Sequence, residues 1–160
     1  MFSLKINVSL ASILFLISLS LFGSEKNIIN DQPVLKVHKT ATCGCCKMWM
    51  KHMEKNGFIT HGEDHQNLSK IKEKYNIEAQ HRSCHTAVSS DGFIFEGHVP
   101  SKYIKQFLSE DHPNAIGLSV PGMPIGSPGM EVGNRFMPYE VLILFKDGTS
   151  QIYANAHPSD

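Results

Sequence analysis

The chain has 160 residues, 41% hydrophobic and 19% charged, which suits one ordinary domain with a buried core and excludes a disordered tail. Fifteen Lys and Arg balance fifteen Asp and Glu, so there is no strong field to gather nucleic acid or anionic lipid. Nine His, seven Met and four Cys beside a single Trp are the unusual counts, and they are the soft and borderline side chains that transition metals prefer.

In chain order, Lys5 precedes an uncharged apolar run over residues 8–22, closed by Gly23, Ser24 and Glu25. This is the pattern of a secretory signal, shorter than the roughly twenty residues a spanning helix needs. Cleavage is expected near Gly23 or Ser24, giving an exported, nearly neutral protein with no membrane segment left. Residues 24–33 read as a polar leader and residues 34–156 as a single domain. Val34, Leu35 and Val37 make a short apolar strand running into Cys43. A helix without Pro follows from Gly44 and ends at Gly57, a residue suited to the left-handed position after a helix. Residues 58–61 read as a second strand, 68–75 as a second helix, and 85–89 with 93–97 as a hairpin. Pro100 opens a third helix in which Tyr103, Ile104, Phe107 and Leu108 share one apolar face. Residues 117–135, rich in Gly and Pro, are expected to form a long loop carrying Met123 and Met130. Residues 139–145 and 150–154 close the chain as a second hairpin.

The cysteines carry the chemistry. In an oxidising compartment their default fate is a disulfide framework, and the plausible pairing is Cys43 with Cys46 and Cys45 with Cys84. A bridge closing so small a loop is a weak staple, so reactivity explains the cluster better. Cys43 and Cys46 form a Cys-x-x-Cys pair between a strand and a helix N-terminus, where thiols lose protons more readily and become better nucleophiles and better metal ligands. That is the position of the redox pair in thioredoxin-like folds. Two features favour metal over disulfide exchange. Cys45 adds a thiol inside the pair, and there is no Pro between Pro33 and Pro100 to hold an extended substrate. Ser83 and Cys84 stand where that Pro would sit. On a thioredoxin-like fold Cys84 faces the 43–46 turn, and converging thiolates suit Cu(I) best, with Zn also accepted.

Further candidates are weaker. His85 and Cys84 are neighbours on an expected strand and point to opposite faces unless a bulge or strand end intervenes, so a supporting or separate role is expected for His85. His98, just before the third helix, can ligate or cap. His52 follows Cys45 by seven residues, about 10 Å along the helix, so the two cannot share one ion. Trp49, Met50 and Met53 are assigned to the core. Met123 and Met130 could each offer a thioether, exclude water, or simply fill a hollow. His38, His61, His65, His81, His112 and His157 show no usable pattern and are taken as scattered and solvent-facing.

Cys43-Gly44-Cys45-Cys46 with Trp49, His52 and Met53, then residues 83–87, 96–100, and 120–124 through 126–131 as one stretch, together resemble the CopG-type periplasmic copper-resistance proteins, long catalogued as a domain of unknown function. The resemblance spans about residues 34–154 in four ordered motifs. It implies a thioredoxin-like α/β fold, a small mixed sheet with flanking helices and a long Gly/Pro/Met loop. It also implies a periplasmic location and copper bound at the cysteines, as one or more Cu(I) ions. The role would be sequestration, transfer to other copper-handling proteins, or a change of copper's redox state. The competing reading is a thiol-disulfide oxidoreductase acting on proteins.

Overall fold

A computed structural model describes residues 32–158. The expected signal segment and all but the end of the polar leader lie outside the described residues. The elements are β1 (Val34–Lys39), α1 (Gly44–Lys55), β2 (Ile59–Asp64), α2 (Ser69–Lys74), a 3-10 turn (Ala79–His81), β3 (Thr86–Ser89), β4 (Ile94–Gly97), α3 (Ser101–Ser109), β5 (Ala115–Val120), β6 (Glu140–Phe145) and β7 (Ser150–Asn155). The architecture is α/β, as expected, with one mixed seven-stranded sheet in the order β2-β1-β3-β4-β5-β6-β7. The closing hairpin joins the same sheet and widens it.

Among the described strands, only β1/β2 and β4/β5 are parallel pairs. Parallel neighbours need a crossover, and α1 and α3 supply the two. Both helices pack on one face: Trp49 and Met53 of α1 and Ile104 and Phe107 of α3 meet Leu35, Val37, Phe95, Leu118, Val120, Val141 and Ile143. Strand alternation sends Ile94 and Leu144 to the other face, where they pack with Ile77, Tyr75 and Val88. Met53 is fully buried and Met50 packs against the same core, so both are core residues as expected.

One expected boundary changes. Residues 117–120 belong to strand β5, and the irregular segment begins at Pro121. Gly117 signals a loop by composition, yet it pairs with Ile94 at φ +147, and a Cβ there would lie 1.8 Å from the Ile94 carbonyl oxygen. The strand needs glycine for close backbone approach, a use that sequence cannot separate from a turn.

Candidate metal centre

Register brings four separate segments to one end of the sheet. The C-terminal end of β1 leads into Cys43 and α1. β3 runs antiparallel to β1 with His38 opposite Thr86, so Cys84 and His85, just before β3, arrive at that same end. β4 returns with Glu96 opposite Thr86, which delivers His98. β5 lies parallel to β4 with Val120 beside Gly97, so the loop after Pro121 begins there too.

Cys43 is the N-cap of α1, its sulfur accepting from the Cys46 N–H at 3.3 Å. Cys43 and Cys46 are joined in a disulfide, while Cys45 and Cys84 are free thiols. Of the disulfide framework considered from sequence, one bridge is present and the other is not. Cys45 Sγ lies 3.5 Å from Cys43 Sγ and 4.0 Å from Cys84 Sγ, and Cys46 Sγ lies 3.6 Å from Cys84 Sγ. All four sulfurs lie within 4.8 Å of one another.

A second donor group shares Cys84. His85 Nδ1 is 3.3 Å and His98 Nε2 is 3.0 Å from Cys84 Sγ, and the three ligand atoms again lie within 4.8 Å of one another. The expectation that His85 would face away rested on strand alternation. β3 starts only at Thr86, so Cys84 and His85 lie outside the ladder and both reach the site. His98 Nδ1 donates to the Pro128 carbonyl at 2.8 Å; a carbonyl only accepts, so Nε2 of the neutral ring presents its lone pair toward Cys84. His98 does not cap α3. That role falls to His52, whose Nε2 accepts from the Ser101 N–H at 3.1 Å, in keeping with its separation from the cysteines.

Burial disfavours charge on Cys84 and on both imidazoles. Burial, and then the neighbouring Cys45, push the Cys84 thiol up to about 12. Burial holds the His98 imidazole below its ordinary value and the His85 imidazole well below it. His85 Nε2 is buried with no hydrogen-bond partner. Trp49 walls this side, its ring centroid 4.5 Å from that of His85 and its indole N–H donating to the Val99 carbonyl at 2.9 Å.

Behind Cys84 lies a buried polar network that the sequence does not advertise. Glu96 is ion-paired with Lys72, and it accepts from the Thr86 hydroxyl at 2.6 Å and the Ser83 N–H at 2.6 Å. The Ser83 hydroxyl donates to the Gly122 carbonyl, and Ser83 bridges Gly122 in parallel fashion. The residue before Cys84 is thereby tied to both the sheet and the loop.

The loop itself rests on α1. Gly129, at φ +86, sits so close that a Cβ would lie 2.7 Å from the Cys45 carbonyl oxygen and 2.7 Å from the Trp49 nitrogen. Met130 is half-buried and held in a tight turn, its N–H donating to the Ser127 carbonyl at 2.8 Å and its carbonyl accepting from the Gly126 N–H at 3.0 Å. Met123 is 51% exposed.

Two solved structures, both titled copper resistance protein CopG, match this fold. Form 2 is 38% identical, with a TM-score of 0.74 over 79% of this chain and 100% of that one. Form 1 is 40% identical, with a TM-score of 0.73 over 78% and 98%. This chain belongs to the CopG family. A family model described as a protein of unknown function, DUF411, matches residues 81–130, the stretch from the 3-10 turn through Cys84, His98 and the loop. No curated protein matches. Among the described residues of this CopG-family chain, no helix is long and apolar enough to cross a membrane.

Proposed function

We propose that this protein binds copper as Cu(I) at Cys43, Cys45, Cys46 and Cys84, with His98 and His85 as further donors, as an exported copper-tolerance protein of the periplasm. The observation that carries this reading is the convergence of four sulfurs from two distant segments within 4.8 Å, in a chain related to copper resistance proteins. Soft thiolates select Cu(I), and a thiolate can bridge two ions, so more than one copper per chain fits this donor set. His85 Nδ1 and His98 Nε2, both within 3.3 Å of Cys84 Sγ, support nitrogen donors beside the sulfurs.

With the Cys43–Cys46 bridge closed, two of the four sulfurs are not thiolates. An external dithiol opens the bridge by exchange, itself becoming a disulfide and leaving two thiols here, and copper binding then releases the thiol protons. In reverse, two Cu(II) ions accept one electron each from the dithiol, giving two Cu(I), the disulfide and two protons. The same cluster thus supports storage, transfer or redox conversion of copper. Anaerobic reduction followed by Cu(I) titration and X-ray absorption should give copper with sulfur neighbours, and Cys84→Ser should lose copper content and affinity. Full retention in Cys84→Ser would overturn the shared site.

A disulfide at the start of α1 is also the resting state of a thiol-disulfide oxidoreductase. That second reading predicts ready reduction of insulin. We expect little turnover, because Ser83 and Cys84 occupy the place of a substrate-holding Pro and Cys45 intercepts mixed disulfides.

A further inference from the structure

His38, Glu63 and His65 form a second donor cluster that does not include the cysteines. β1 and β2 pair in parallel with His38 directly beside Glu63, and His65 follows Glu63 by two residues, which returns it to the same face. The His65 N–H donates to the Lys39 carbonyl at 2.8 Å, so the chain stays in register just past the end of β2. His38 is buried rather than solvent-facing, against the expectation from sequence, and so is His81.

The geometry is that of a ligand set. His38 Nδ1 lies 2.9 Å from His65 Nε2, and His65 Nε2 lies 3.4 Å from Glu63 Oε1. All three ligand atoms lie within 4.8 Å of one another. Cis donors about 2.0 Å from a tetragonal ion stand about 2.8 Å apart, which the 2.9 Å His38–His65 separation matches and the 3.4 Å His65–Glu63 separation exceeds by a small side-chain adjustment. Glu63 pairs with Lys36 through Oε2, leaving Oε1 for the cluster.

The chemistry of the ion follows from the surroundings. Glu63 favours positive charge at His38 while His65, Lys36 and Lys74 oppose it, and with one carboxylate in the cluster hard ions such as Ca²⁺ and Mg²⁺, which take six or more oxygen ligands, are disfavoured. Two imidazoles and one carboxylate instead suit a divalent d-block ion, for which Cu²⁺ outranks Zn²⁺ in intrinsic affinity. Burial holds His38 below its ordinary value, which keeps its ring neutral and able to ligate at neutral pH.

We propose that His38, Glu63 and His65 form a nitrogen- and oxygen-donor site for Cu(II), separate from the cysteine centre. His38 precedes Cys43 by five residues, so the two sites lie within about 18 Å along the chain. The protein would then hold both oxidation states of copper at different donors on neighbouring parts of one strand-turn-helix unit.

The test uses the full domain, reduced and preloaded anaerobically with Cu(I), then titrated with Cu(II) alone. Cu(I) is silent in electron paramagnetic resonance, so the spectrum reads only the second site. One equivalent of Cu(II) with nitrogen hyperfine structure is expected. His65→Ala should abolish that signal, and Glu63→Gln should weaken binding about tenfold or more, with unchanged circular dichroism and unchanged Cu(I) content. Because His65 and Glu63 are less buried than His38, these two variants test the site without emptying the core. Retention of the signal in His65→Ala would overturn the proposal. So would Zn(II) bound at the same residues that equimolar Cu(II) fails to displace. Repeating the titration on Cys45→Ser/Cys84→Ser protein with the Cys43–Cys46 bridge closed, which has no thiol to reduce Cu(II), should give the same His65-dependent signal, so failure of the cysteine reading and failure of this one are separately visible.

Discussion

Glu96 is fully buried between Lys72, Thr86 and the Ser83 N–H, and its carboxyl is raised above the ordinary value by burial. A buried ion pair adds little over an apolar pair, but breaking one side strands a charge. Lys72→Met should therefore cost about 3–5 kcal/mol in urea unfolding, and adding Glu96→Gln should recover part of that loss, because Gln is uncharged and still accepts from Ser83. A double variant as unstable as the single would show that stranded charge is not the cause. Gly129 offers a test beside the sulfurs. Its φ is positive, and a side-chain carbon added there would come within 2.7 Å of Cys45 and Trp49 backbone atoms, so Gly129→Ala must lift the loop off α1. We expect a loss of about 1–3 kcal/mol together with faster reaction of Cys45 and Cys84 with a thiol reagent. Unchanged thiol reactivity would mean that the loop does not shield them.

At the scale of elements, the segment from Pro121 to the start of β6 is irregular in backbone but anchored at defined points. Ser83 holds its start through Gly122, His98 holds Pro128, and α1 meets Gly129. The two loop methionines consequently have different surroundings. Met130 is fixed in the turn beside the Gly129 contact, whereas Met123 is half exposed. Leu conserves the apolar volume of Met at a cost below about 1.5 kcal/mol, so a substitution reads sulfur rather than packing. Met130→Leu is expected to lower Cu(I) affinity in competition titrations with an unchanged melting temperature, and Met123→Leu to change neither. Equal effects from both variants would assign the thioethers no specific place in the site.

Over the whole molecule, His38, His52, His85 and His98 are all held below the ordinary imidazole value, chiefly by burial. For each, the unfolded chain binds a proton more readily than the folded one. The resulting stability is present above the unfolded value of about 6.5 and is lost as pH falls toward the folded values, by up to about 1.4 kcal/mol per pH unit for each group. Glu96 acts in the opposite sense at lower pH, since its folded value is raised. The metal-free protein should therefore show a lower urea midpoint at pH 5.5 than at pH 7.5. An equal or higher midpoint at the lower pH would show that these rings are not buried in their neutral form.

Local chemistry determined much of this protein before any tertiary information. The Pro-free run closed by Gly57 located α1, and the apolar face of Tyr103, Ile104, Phe107 and Leu108 located α3. Cys43, Cys45 and Cys46 marked the strand-turn-helix unit because capping, helix boundaries and apolar faces depend on residues a few positions apart. The tertiary structure decided what depends on register between distant strands. It placed Cys84 and His85 just outside a ladder, so both reach the sulfurs, and it turned Gly117 from an expected loop residue into a strand residue under Ile94. It paired Lys72 with Glu96 and aligned His38 with Glu63 and His65. No spacing within one segment encodes such pairs, because partners on separate strands are chosen by which apolar faces must be buried together.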